Sequence, residues 1–172
     1  MAESSRVIVV MGVSGSGKSV VGRALADRLG LPFHDADAYH PPANVAKMSR
    51  GEPLVDADRW PWLDALGEVV TRGLADGGPG AVVACSALAR RYRERMGLGR
   101  PGVRLVFLDG TRELIRARIE ARRDHFMPAT LLDSQLAALE RPTPEERALV
   151  VSIEEPPESI AARIAGLLAP RA

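Results

Sequence analysis

The octapeptide Gly12-Val13-Ser14-Gly15-Ser16-Gly17-Lys18-Ser19 constrains this chain more than any other stretch. It follows an apolar run, residues 7–11, and leads into a helical pattern, so the backbone must leave a strand, turn tightly and enter a helix. Glycines permit that turn and let backbone N–H groups approach an anion with no Cβ in the way. The helix opening at the end of the loop adds the positive end of its dipole. The spacing G-x-x-x-x-G-K-S in this setting reads as a phosphate-binding loop. Lys18 is expected to reach the β- and γ-phosphates, and the Ser19 hydroxyl to ligate Mg²⁺. The nucleotide-binding set is then Gly12, Val13, Ser14, Gly15, Ser16, Gly17, Lys18, Ser19 and Val20. Of 23 basic residues only Lys18 and Lys47 are lysines. A chain that uses arginine almost everywhere keeps a compact ammonium where a planar guanidinium would not fit.

The rest of the chain supplies the context such a loop needs. Apolar runs of strand length recur at 7–11, 31–33, 81–85, 103–108 and 149–153, the first, third and fourth nearly continuous, as in parallel strands buried on both faces. Between them lie helical stripes: Val20, Val21, Ala24, Leu25 and Leu29; Leu63, Leu66, Val70 and Leu74; Leu114, Ile115 and Ile119; Ile160, Ile164, Leu167 and Leu168. This alternation predicts an α/β protein, a five-stranded parallel sheet with helices on both faces in three layers. At 172 residues it is expected to form one domain, residues 1–172. A net charge of +1 gives no bulk attraction to nucleic acid or anionic membranes. The longest apolar run, 81–89, is far short of the roughly 20 residues that cross a bilayer. Residues 1–6 are polar and unlike a signal peptide, and the single cysteine, Cys85, suits a reducing, cytoplasmic setting.

Ligands of such a sheet bind beyond the strand C-terminal ends, so the residues there carry the functional expectation. Asp35 and Asp37 follow Phe33 with one residue between them, and in extended backbone both would face the crevice. One carboxylate would hold the Mg²⁺ shell and the other would accept a proton from a substrate hydroxyl; the bland alternative is that they cap the next helix. Asp58 is expected to cap a helix opened by Pro61, with Trp60 and Trp62 as packing anchors. Ser86 either hydrogen-bonds a polyol or caps the helix after it. Cys85 is expected to be an inert buried thiol. Asp109, which ends a strand in the manner of a second metal-binding aspartate, ranks below Asp35.

The ordered set Asp35-Ala36-Asp37, His40-Pro41, Asn44, Lys47-Met48, Gly51-Glu52-Pro53-Leu54 and Asp56 through Leu63 resembles the bacterial-type gluconate kinases. These belong to the group that includes shikimate and nucleoside monophosphate kinases. Cys85 through Arg93 and His125-Phe126-Met127-Pro128 with Leu131-Leu132-x-Ser134-Gln135 extend the likeness over about residues 7–153. The family usually has glycine at position 36, threonine at 20 and lysine at 89, where this chain has Ala36, Val20 and Ala89. The resemblance implies ATP- and Mg²⁺-dependent phosphorylation of D-gluconate at its terminal hydroxyl, with Asp37 as base, and Ser19 and Asp35 at the metal. It implies substrate contacts from Asp37, His40, Arg59, Ser86, Arg91 and His125, a substrate-binding region at about 37–76 and a lid at about 119–130. Arg118 and Arg122, four apart on one expected helix face, would serve the adenine and the transferring phosphoryl group, or else form a solvent face pairing with Glu120 and Asp124. One or two of Arg90, Arg91 and Arg93 would bind the substrate carboxylate, the others being solvated. The loop 155–158 is expected near the purine. A homodimer is expected by the same likeness. Competing readings are a kinase for another hydroxy acid or polyol, such as shikimate, and a non-catalytic nucleotide switch.

Overall fold

Five consecutive β-branched or long apolar residues, Val7–Met11, can pack on both faces of a sheet at once, and they form the central strand β1 with every residue buried. A computed structural model describes residues 6–122 and 129–170 of the chain. The other strands are β2 (Phe33–Asp35), β3 (Ala81–Ala84), β4 (Val103–Asp109) and β5 (Leu149–Ser152). All neighbours pair in parallel, in the order β2-β3-β1-β4-β5. The helices are α1 (Lys18–Leu29), α2 (Pro42–Ser49), α3 (Asp56–Leu74), α4 (Arg90–Arg95), α5 (Arg112–Ala121), α6 (Ala129–Ala138) and α7 (Pro157–Leu168).

Strand alternation divides the core. Ile8 and Val10 face one side with Val21, Leu25, Ile115, Ile119, Leu132, Ile160 and Ile164, which places α1, α5, α6 and α7 there. Val7, Val9 and Met11 face the other side with Trp62, Leu63, Leu66, Val70 and Met96, the layer of α3 and α4. The expected three layers are therefore present. The stripes differ in detail: Val20 is 54% exposed and Leu167 54%, and the buried face of α1 is carried by the expected Val21 and Leu25 together with Ala26.

Two local expectations are corrected. The second strand begins at Phe33, because Pro32 has no N–H for the ladder and contributes only its carbonyl, which accepts from Val82 N at 2.8 Å. The strand therefore ends on Asp35. Pro61 does not open α3, which begins at Asp56; it lies inside the second turn. Asp58 nevertheless caps that helix, accepting from Val55 N at 2.9 Å. Ala36 needs no glycine: it is buried in a single 3₁₀ turn, Ala36–Tyr39, and lies outside the positive-φ residues.

Candidate active site at the carboxyl edge of the sheet

The phosphate end is made of backbone. Gly17 precedes α1 at φ +89 and offers no side-chain cap, and the first turn holds no acid, so the amides of Lys18, Ser19 and Val20 have no intrahelical partner. That is the donor set an oxyanion needs. Two glycines are sterically required. A Cβ on Gly12 would lie 2.4 Å from Ser16 Oγ, and one on Gly15, at φ +84, 2.5 Å from Ile119 Cγ1. The Val20 side chain points outward, 54% exposed, away from the loop.

Lys18 lies within electrostatic reach of the groups it was expected to work with. Enclosure pushes its ammonium below the ordinary lysine value of 10.5; Asp37, Cys85 and Asp35 pull it back up, and Arg122 pushes it down. Four separate segments thus converge: the loop, the end of β2, the turn after it and the end of α5. Ser19 Oγ donates to Asp35 Oδ2 at 2.9 Å. A hydroxyl and a carboxylate in contact at the head of α1 form a hard-oxygen pair of the kind Mg²⁺ takes, keeping waters and phosphate oxygens for its other positions. Among the described residues no group of three His, Cys, Asp or Glu side chains could hold a metal. The other acid, Asp109, is engaged elsewhere, gripped by both arms of Arg141 at 2.7 and 3.0 Å.

Asp35 and Asp37 meet by a different route from the one their spacing suggests. The backbone is not extended between them; Asp35 Oδ1 accepts from Asp37 N at 3.0 Å and starts the 3₁₀ turn. Asp35 realises the capping reading of the pair, while its other oxygen faces Ser19. Asp37 remains exposed.

Beyond Asp37 the acceptor end is a relay of side chains. His40 stacks on Trp62 at 4.2 Å and contacts Asn44 Nδ2 through Nδ1 at 3.2 Å. Burial lowers its pKa, Asp37 raises it and Arg59 lowers it, so His40 is neutral at pH 7 with both charges nearby. Arg59 reaches Tyr92 Oη at 3.2 Å, and Tyr92 donates to Asp56 at 2.6 Å. Arg91 forks onto the same Asp56 at 2.8 and 3.2 Å. Much of the motif from 44 to 62 is scaffold. Asn44 Nδ2 bonds Asp58 O at 2.9 Å, Lys47 pairs with Asp58 at 2.8 Å, and Trp62 Nε1 donates to Ala36 O at 2.7 Å.

The arginines separate into distinct roles. Arg93 is neither solvated nor open to substrate, being wholly buried against Glu146. Arg118 donates to Ile153 O at the end of β5, which brings it to the loop expected near the purine. Glu120 pairs with Arg116, not with Arg118. Arg122 does not extend a helix face with Arg118, because α5 ends at Ala121 and Arg122 is extended at ψ 116. Ser86 does not cap α4; Glu140 does, accepting from Arg90 N at 2.8 Å. Cys85 is buried and its thiol is pushed up to about 12, chiefly by desolvation, as an inert thiol should be. His125 lies outside the described residues.

Sequence reasoning missed α6 and its Gln135. The Gln135 Oε1 accepts from Ser14 N at 2.7 Å and its Nε2 donates to Ser14 Oγ at 3.1 Å. The Ser134-Gln135 pair stood in the family resemblance with no role attached, which was the one signal available.

A family model described as shikimate kinase matches residues 14–168. A gluconokinase of Gluconobacter oxydans (strain 621H) is 48% identical, covering 93% of this chain and 89% of the relative. The crystal structure of a gluconokinase from Sinorhizobium meliloti 1021 superposes with a TM-score of 0.81 at 46% identity, covering 96% of this chain and 97% of the other. A shikimate kinase structure from Bacteroides thetaiotaomicron, 22% identical, shares the fold at a TM-score of 0.66, covering 94% and 97%.

Proposed function

The chain belongs to the shikimate kinase family and, within it, to the gluconokinases, and from that premise we propose that it transfers the γ-phosphoryl group of ATP to D-gluconate, giving 6-phospho-D-gluconate. One observation carries the site assignment: the charges of Asp37, Asp35 and Arg122 all reach Lys18 in the phosphate loop, where Ser19 Oγ also donates to Asp35 Oδ2 at 2.9 Å. The loop amides and Lys18 bind the triphosphate. Asp37 accepts the proton of the terminal hydroxyl as its oxygen bonds to the γ-phosphorus. The bond from that phosphorus to the β–γ bridging oxygen breaks, ADP leaves, and Asp37 returns the proton to water. Lys18 and Arg122 offset the charge gathering on the transferred group; such catalysis is positioning and electrostatics. Ser19 and Asp35 would hold Mg²⁺, which when bound supplies charge neutralisation across the phosphates.

Arg118 serves the adenine side. His40, Arg59, Ser86 and Arg91 orient the sugar acid, with Asp56 sharing Arg91 between itself and the substrate carboxylate. The substrate-binding region is 37–76, and the lid, 119–130, excludes water as a competing acceptor. We infer a cytoplasmic homodimer, which light scattering of the purified protein checks. Among the described residues no helix is long and apolar enough to cross a membrane.

The test is coupled ADP release with gluconate, its epimers, shikimate and nucleoside monophosphates as acceptors. Turnover with gluconate well above the others is expected. Turnover with only a nucleoside monophosphate or only shikimate would overturn the substrate, and slow hydrolysis indifferent to acceptor would overturn the reaction.

A further inference from the structure

The turn after β3 is held in a conformation that its own sequence does not favour. Ala87 sits at φ +45, in the left-handed region that a residue with a Cβ occupies only when its surroundings enforce it. The enforcing contacts are visible. Arg93, on α4, folds back so that Nη1 donates to Ala87 O at 2.9 Å and to Leu88 O at 3.2 Å. Its Nε and Nη2 fork onto the Glu146 carboxylate at 2.6 and 3.1 Å. Glu146 is itself fixed, accepting from Thr143 N at 2.8 Å. Glu140, from the same segment, donates its N–H to Leu88 O at 2.8 Å. The guanidinium is 0% exposed. A buried ion pair is a weak stabiliser compared with well-packed apolar side chains, so its use here points to geometry.

The location gives that geometry a purpose. β3 lies between β2 and β1, so the turn stands between Asp35–Asp37 and the phosphate loop. Cys85, the residue before Ser86, is close enough to Lys18, Asp37 and Asp35 for their charges to act on it. We propose that Arg93 and Glu146 are positioning residues for the phosphoryl acceptor: their clasp forces Ala87 into the left-handed turn and thereby aims the Ser86 hydroxyl at the bound sugar acid. This rests on gluconate occupying the crevice beside β3. Neither residue touches substrate. The acceptor site is therefore set by a pair 53 positions apart in sequence.

The experiment measures kcat and both KM values, with thermal midpoints, for the wild type, Glu146→Gln, Arg93→Lys, Ala87→Gly and the double variant Ala87→Gly/Glu146→Gln. Glu146→Gln and Arg93→Lys are expected to raise the gluconate KM about tenfold while the ATP KM stays within about twofold, since a misplaced contact costs binding on its own side of the site. Ala87→Gly, which takes the left-handed turn without strain and leaves the ion pair intact, keeps the gluconate KM within about twofold of the wild type and does not lower the midpoint. In the double variant the glycine recovers part of the gluconate affinity that Glu146→Gln loses, because both changes act on one turn. A folded Glu146→Gln with wild-type gluconate KM, or a lowered midpoint with both KM values moved together, would overturn the clasp. If Arg93→Lys does not fold, the other variants decide. If the wild type turns over shikimate instead, the gluconate reading fails, and the same KM split measured on shikimate decides the clasp.

Discussion

The two halves of this site are built from different materials. The phosphate half is contiguous backbone: eight residues, two of them glycines that admit no Cβ, and a helix start without a cap. The acceptor half is a set of long side chains from α3 and α4 and the turns after β2 and β3, already paired with one another through Asp56 and Tyr92. Backbone donors are fixed once the loop folds, whereas side-chain donors must be held by neighbours. Substitutions in the first half should therefore abolish function at single positions. In the second half the effects should be smaller and shared among partners.

The largest effect is expected at Lys18. Lys18→Ala should lower kcat/KM by about a thousandfold with the thermal midpoint nearly unchanged, since a charge aimed at the transferring group is lost. A loss of less than about tenfold would put the phosphate elsewhere. Asp37→Asn follows, with a fall in kcat of about a hundredfold and little change in ATP affinity; a fully active variant would remove Asp37 as base. Next, Arg91→Gln and Arg59→Gln should each raise the gluconate KM by about tenfold, and together by less than the product, because they share Asp56 and Tyr92. Strict additivity would contradict a shared relay. Gln135→Leu should raise the ATP KM severalfold and leave the gluconate KM alone, as its amide holds only Ser14.

The smallest effect separates the halves by pH. The Lys18 ammonium is held below its ordinary 10.5. Its charge is lost as pH rises through that lowered value, so kcat/KM for ATP should decline on the alkaline side starting below pH 10.5. Stability of the empty protein takes the opposite sign. The charged form is penalised in the empty loop below the folded pKa, and that penalty is relieved as pH rises toward the unfolded value. Bound nucleotide should reverse it. An alkaline decline of equal size in Lys18→Ala would assign the titration to another group.

The same division explains what could be read from sequence. The loop, the sheet and the stripes on α3 and α5 follow from local rules of spacing, and the structure contains them, as it does the Ile160–Ile164 part of the stripe on α7. Asp35 and Asp37 were legible as a pair, but their meeting depends on an Asp35 turn that spacing alone does not distinguish from a strand. Arg93 read as either a carboxylate-binding or a solvated arginine because its partner, Glu146, lies across the fold. Gln135 was invisible for the same reason: its bond to Ser14 spans 121 positions. Contacts between distant side chains leave no periodic trace, and they are what the acceptor half is made of.

The most direct test of the central claim is ³¹P NMR of the reaction of ATP with gluconate, which shows where the γ-phosphoryl group goes. The structure predicts one new phosphomonoester resonance, coupled to the methylene protons of the terminal carbon and growing in step with ADP. A growing inorganic phosphate signal with gluconate left unmodified would contradict it.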